Sequence, residues 1–177
     1  FFRHSCIFVS AKSGIREPKD LAGRRVGVPE YQMTAPVWIR GILQDEYGVA
    51  PDSCHYLTGG EEEPGRDEKL KLDLPARFDV RRIGPEQTLS QMLVAGEIDA
   101  LYTARAPSTF HTHPGKVKRL FPDFFETERA YHRKTGLFPI MPTVVIRREL
   151  YEQNRWVAQS LCKAFAEAKR IAMDDLQ

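Results

Sequence analysis

Leu21 to Gly48, LAGRRVGVPEYQMTAPVWIRGILQDEYG, reads as a strand that feeds straight into a helix. Arg24-Arg25-Val26-Gly27-Val28 is a short apolar strand closed by Pro29. Thr34 offers a side-chain oxygen as helix cap, and Pro36 falls in the first turn, where a missing N–H costs nothing. Trp38, Ile39, Ile42, Leu43 and Tyr47 recur at helical spacing, and Gly48 is a natural stop. The loop Glu30-Tyr31-Gln32-Met33 therefore lies at the carboxyl end of the strand, facing the free N–H groups of the helix start. A small anion can be held at such a spot. An ordinary strand–helix unit with an empty loop fits the same residues, and this stretch alone leaves both readings open.

Working outward, Phe1 to Ser10 reads as one strand, Cys54 to Leu57 as another and Asp79 to Ile83 as a further one. Pro85-Glu86-Gln87 opens a helix with Leu89, Met92 and Leu93 on its buried stripe and Gly96 as its stop. Ile98 to Tyr102 is a strand that delivers Thr103 to Ser108 into a loop. The charged run Glu61 to Lys71 reads as a solvated loop, because clusters of both signs usually face water. Leu120 to Tyr131 is aromatic-rich, Thr143 to Ile146 an apolar strand, and Glu152 to Leu176 a long helix. Trp156, Val157, Leu161, Ala164, Phe165, Ala168 and Ile171 share one face of that helix. Strands alternating with helices argue for an α/β fold with a largely parallel sheet.

A chain of 177 residues is long enough to bury a real core. Its net charge of +2 and scattered basic pairs (Arg24-Arg25, Arg81-Arg82, Arg147-Arg148) argue against a nucleic-acid partner. No apolar run approaches the roughly 20 residues of a membrane span. Cys6, Cys54 and Cys162 share no close spacing, so buried free thiols are expected rather than a disulfide framework or a zinc site. Phosphate-loop, dinucleotide and nucleophile-elbow patterns are not legible. The missing initiator Met and a last helix without a stop signal read as the middle of a longer protein.

A lone strand, a strand–helix unit, a helix closed by Gly96-Glu97-Ile98-Asp99-Ala100 and a second lone strand entering a long helix follow one another. That order resembles the middle of a type II periplasmic-binding-protein fold, in which crossover strands join two α/β lobes around a ligand cleft. Within that superfamily VGVPEYQMTAPVWIRGILQDEYGV, TGGEEEPGR, GEIDALYTARAPS, TGLFPIMPTVVIRREL and the opening FRHSCIFV are similar to the 4,5-dihydroxyphthalate decarboxylase family. The resemblance implies residues 1–11 as a crossover strand with part of lobe 1, 12–138 as lobe 2, and 139–177 as the return strand and helix of an incomplete lobe 1. It also implies an activity: decarboxylation of a dihydroxylated aromatic dicarboxylate, 4,5-dihydroxyphthalate to protocatechuate, in the cytoplasm and without a cofactor. One departure stands out: Met141 is followed by Pro142 where the family pattern carries a His.

Such a reaction needs a clamp for a dianion and a proton donor. Arg105, just past the Ile98–Tyr102 strand, suits the clamp because its fork matches a carboxylate; a surface ion pair is the alternative. His111 and His113 share a face if their segment is extended, which would suit proton donation; plain loop histidines remain the other reading, and no metal is expected. Arg3 and His4 lie on the strand that lines the cleft in the implied fold, against a strand-end charge and a satisfied histidine. Tyr31, Gln32, Met33 and Thr34, with Ser108, would hold the second carboxylate or the ring hydroxyls, and Thr58, Gly59 and Gly60 permit close backbone approach. The implied partner is a small aromatic carboxylate, and a homo-oligomer is left open. The competing function is a solute-binding protein for an uptake transporter, which would place the chain in the periplasm and need no proton donor.

Overall fold

The computed structural model describes residues 2–70 and 72–174. They divide into two compact units, with the boundary between Met141 and Pro142. Unit one is built on a six-stranded sheet of β1 (Ile7–Ser10), β2 (Arg25–Val28), β3 (His55–Thr58), β4 (Asp79–Arg82), β5 (Ala100–Tyr102) and β6 (Val117–Arg119), in the order β4-β3-β2-β5-β1-β6. Strands β2, β3, β4 and β5 run parallel, and β1 runs antiparallel to both β5 and β6.

Period-two alternation assigns the two faces of this sheet. Val26, Val28, Tyr56 and Tyr102 pack on one side with Ile39 and Leu43 of α1 (Thr34–Tyr47). Phe8 and Leu101 pack on the other with Leu89 and Leu93 of α2 (Leu89–Ala95) and with Ile98. With both faces covered, the inner strands β1, β2 and β5 read as near-continuous apolar runs. Gly27 is the close-approach point: a Cβ there would lie 2.7 Å from Ile98 Cδ1. The outer strands are short and charged, with Arg81 and Arg82 exposed on β4 and Lys118 on β6.

Both expected glycine stops are found. Gly48 (φ 70°) and Gly96 (φ 81°) take the left-handed conformation that ends α1 and α2. Thr34 is not the cap of α1: it is the first helical residue, and Met33 in the cap position makes no side-chain cap bond. The α2 start is satisfied from outside, since the Leu89 and Ser90 N–H groups donate to the carbonyls of Gly60 (2.9 Å) and Glu61 (3.0 Å). Two further helices, α3 (Ser108–Thr112) and α4 (Phe124–Thr135), flank β6 in sequence.

Other expectations also give way. The segment 108–112 is a helix, so His111 and His113 do not alternate along extended chain. Thr143 to Ile146 is not a strand: it has no pairing neighbour among the described residues, and an unpaired ladder is not stable in water. Val145 is 85% exposed there. The long C-terminal helix is interrupted, as α5 (Arg148–Gln153) and α6 (Trp156–Asp174) are separated at Asn154-Arg155, and the expected end at Leu176 lies outside the described residues. The apolar stripe of α6 is not buried within its own unit: Trp156 is 65% and Phe165 52% exposed. Cys6 and Cys54 are buried free thiols as expected, whereas Cys162 is exposed.

Candidate functional site

Parallel pairing of β2 with β3 and β5 puts the loops that follow all three at one edge of the sheet. Because β1 is antiparallel to β5, with Ile7 opposite Tyr102, the residues preceding β1 arrive at that same edge. Topology therefore gathers Arg3-His4, Tyr31–Thr34, Thr58–Gly60 and Arg105–Ser108 along one carboxyl-end rim. This is where an open α/β sheet binds its ligands.

The loop after β2 opens into a cleft of about 430 Å³ lined by Gln32, Met33 and Thr34 together with Glu30, Arg66 and Glu68. Glu30 is buried and accepts hydrogen bonds from Nε and a terminal amine of Arg66, with Lys69 Nζ 3.8 Å away. Burial pushes the Glu30 carboxyl up, but Arg66 and Lys69 outweigh it and hold it below the usual range. The Tyr31 N–H donates to Glu68 Oε1 at 2.6 Å. The Tyr31 ring itself is buried, with the Arg40 guanidinium 3.9 Å above its centroid and bonded to the Tyr31 carbonyl at 2.7 Å. Tyr31 thus supports the loop from beneath, while its three successors face the cleft.

The loops after β3 and β5 are tied together by carboxylates. Thr103 Oγ1 donates to Glu61 Oε2 at 2.5 Å, and Ser108 donates from its N–H (2.7 Å) and Oγ (2.6 Å) to Glu62. Burial raises the Glu61 carboxyl above the ordinary glutamate range, and the nearby Glu62 charge adds to this. The Thr103 bond and the charges of Arg105 and Arg66 work against it. Arg105 is exposed on this rim. Gly60 allows a tight reversal here, since a Cβ on it would sit 1.6 Å from the Glu63 carbonyl oxygen.

The remaining sequence-predicted residues are more enclosed or lie further off. Arg3 is 6% exposed and donates to Ala104 O (3.2 Å), Cys6 Sγ (3.6 Å) and Met141 Sδ, which braces the loop carrying Arg105. His4 is 1% exposed among Tyr47, Phe121 and Tyr131, and neither ring nitrogen has a partner among the described residues, so its imidazole is core rather than cleft lining. Burial lowers its pKa against the raising charges of Glu128 and Glu46. His113 hands the chain to Lys116, whose carbonyl accepts from Ala11 beyond the far end of β1. That carries His113 away from the rim. No group of three or more metal-ligating side chains occurs among the described residues.

Residues 61–70 form a loop that is mostly exposed, as expected, but sequence reasoning did not single out Glu61, Glu62, Arg66 and Glu68, which reach from it to the neighbouring loops, nor the pairing of Arg66 with Glu30. The signal was position: Gly59-Gly60-Glu61 directly follows β3 of the parallel sheet.

Similarity to known proteins was found on this footing. The chain is 42% identical over 175 residues to a 4,5-dihydroxyphthalate decarboxylase of Comamonas testosteroni, covering 99% of this chain and 53% of that protein. It is 44% identical over 122 residues to a 4,5-dihydroxyphthalate decarboxylase of Pseudomonas putida, covering 69% of this chain and 47% of that one. The chain thus spans about half the length of the curated relatives it matches. Among solved structures, the periplasmic aliphatic sulphonate binding protein SsuA from Escherichia coli aligns over 95% of this chain and 47% of that chain, at 16% identity and a TM-score of 0.40. No family model matches. No helix among the described residues is long and apolar enough to cross a membrane.

Proposed function

We propose that the chain is part of a 4,5-dihydroxyphthalate decarboxylase, and that the whole protein removes one carboxylate from a dihydroxylated aromatic dicarboxylate, 4,5-dihydroxyphthalate or a near relative. The observation that carries this reading is 42% identity across 99% of the chain to a protein of that name. The sheet rim supports it with the parts such a reaction needs.

A hydroxyl para to the departing carboxylate makes that ring carbon electron-rich, so a proton can add there. The carbon–carboxylate bond then breaks, CO2 leaves, and its electron pair restores the aromatic ring. Neither redox change nor covalent attachment to the protein is required. What the protein contributes is orientation and a proton. On this reading Arg105 grips one carboxylate through its fork. The first-turn N–H groups of α1, with Gln32 and Thr34, receive the other carboxylate or the ring hydroxyls. The cleft beside Glu30 and Arg66 takes the ring. The reaction runs in the cytoplasm without an organic cofactor.

The test is direct: purified full-length protein is incubated with 4,5-dihydroxyphthalate, and release of CO2 and appearance of protocatechuate are followed. Loss of one charge-assisted hydrogen bond is worth about 1.5–3 kcal/mol, so Arg105→Ala should raise KM by roughly 10- to 100-fold. Absence of CO2 release from the wild type rejects the activity, and unchanged kinetics in the variant remove the clamp.

A further inference from the structure

We propose that Glu61 is the general acid of this site, the group that delivers the proton to the ring carbon from which CO2 departs; the assignment rests on the decarboxylase reading. Glu61 lies three residues past the end of β3, and its placement is fixed twice. Its backbone carbonyl accepts the Ser90 N–H at 3.0 Å while the preceding Gly60 carbonyl accepts Leu89 N–H at 2.9 Å, so the main chain is clipped to the first turn of α2. Its side chain is fixed from the neighbouring strand: Thr103, fully buried just past β5, donates to Oε2 at 2.5 Å. That bond leaves Oε1 for the acidic hydrogen, and Oε1 has no protein hydrogen-bond partner among the described residues.

The surroundings sort the rim carboxyls into roles. Glu30 is neutralised by Arg66 and Lys69, Glu62 is engaged by both donors of Ser108, and Glu68 holds the Tyr31 N–H. Glu61 alone among these four makes its only side-chain bond to a neutral hydroxyl. The charged groups acting on it are Glu62 on its own loop, Arg105 on the loop after β5 and Arg66 on the charged run. Half-burial keeps its proton on to higher pH than an exposed glutamate would, as an acid catalyst requires. In the step, the Oε1 hydrogen is transferred to the ring carbon, the bond to the departing carboxylate breaks, and CO2 leaves. The Glu61 carboxylate that remains takes its proton back from water.

The experiment compares wild type, Glu61→Gln, Glu61→Asp, Thr103→Val and the exposed-loop control Glu63→Gln by steady-state kinetics across pH. Glutamine keeps the size of the side chain and an acceptor for Thr103 but has no transferable proton. General acid catalysis typically contributes a factor of roughly 100 to 10,000, so Glu61→Gln should lose about 100-fold or more in kcat with KM nearly unchanged. In the wild type kcat should fall on the alkaline side as Glu61 ionises. That limb should vanish in Glu61→Gln, persist in Glu61→Asp, and move to higher pH in Thr103→Val, because the lost hydroxyl had favoured the ionised form. Glu63→Gln should match wild type. Should Glu61→Gln fail to unfold cooperatively, Thr103→Val decides, and an unmoved alkaline limb there overturns the assignment. An active wild type with undiminished kcat in Glu61→Gln also overturns it and leaves the decarboxylase reading standing. A wild type that releases no CO2 overturns both.

Discussion

Replacing Gly60 by alanine puts a methyl carbon 1.6 Å from the carbonyl oxygen of Glu63 and 2.7 Å from its carbonyl carbon. Both are main-chain atoms, so no side-chain rotation relieves the clash. Contacts under 3.0 Å are essentially never seen for a real Cβ, and the backbone at Glu63 must withdraw by at least about 1.4 Å. The same short loop carries the Gly60 and Glu61 carbonyls that satisfy the first N–H groups of α2, at 2.9 and 3.0 Å. Their displacement leaves those donors unsatisfied, and with the strain itself the expected cost is about 1–3 kcal/mol. The kinetic effect should be larger in proportion, because Glu61 and Glu62 move with the loop, and a misplacement of about 1 Å can cost around 100-fold in rate. Urea unfolding followed by circular dichroism reads the first effect, and CO2 release by the full-length protein reads the second. A variant with wild-type midpoint and wild-type kcat would show that the loop has slack and would refute the argument that Gly60 holds this rim in place.

Two other perturbations address the frame around the site. Asp99 accepts from the Arg25 N–H (2.9 Å), its Nε (3.0 Å) and a terminal amine (2.9 Å), joining β2 to β5 at the edge away from the cleft. Asp99→Ala should cost about 1–3 kcal/mol by leaving the Arg25 N–H unpaired, with little change in KM. Burial pushes the Asp99 carboxyl up, but the Arg25 bonds prevail and hold it below its ordinary value. Its contribution is therefore present above the unfolded-state pKa and is lost as pH falls through the folded one, and a stability–pH titration of the variant should lack that acidic loss. His4 is a base whose folded pKa lies below the ordinary 6.5 because burial disfavours the charged ring. The unfolded chain then binds the proton first, so stability is full above about pH 6.5 and declines below it, by up to ~1.4 kcal/mol per pH unit until the folded value is reached. His4→Phe should flatten the decline that sets in below about pH 6.5, and an unchanged slope would mean that other groups produce it.

The strand–helix unit of the opening stretch was legible because local signals agreed: an apolar run, a proline in the first turn, helical spacing and a glycine stop. The sheet edge that gathers Arg3, Tyr31–Thr34, Thr58–Gly60 and Arg105 followed from the alternation of strands and helices, since strand direction fixes where loops emerge. The charged run was legible as an exposed loop, but the inward reach of single side chains from it was not. Composition alone does not distinguish a carboxylate facing water from one such as Glu30, which meets Arg66 from 36 residues away. Thr143 to Ile146 failed for the opposite reason, as its β-forming side chains were readable and the missing neighbour was not. His111 and His113 were misjudged because Pro107-Ser108 starts a helical turn too short to leave a periodic signature.

Both borders of the sheet carry positive side chains, Arg81 and Arg82 on one and Lys118 with Arg119 on the other. At the β4 border these charges are held in ion pairs, Arg81 with Asp79 and Arg82 with Asp67, so a second strand approaching the open row of backbone donors and acceptors would have to bury or break them. Charged side chains on both outermost strands thereby discourage ladder-to-ladder growth.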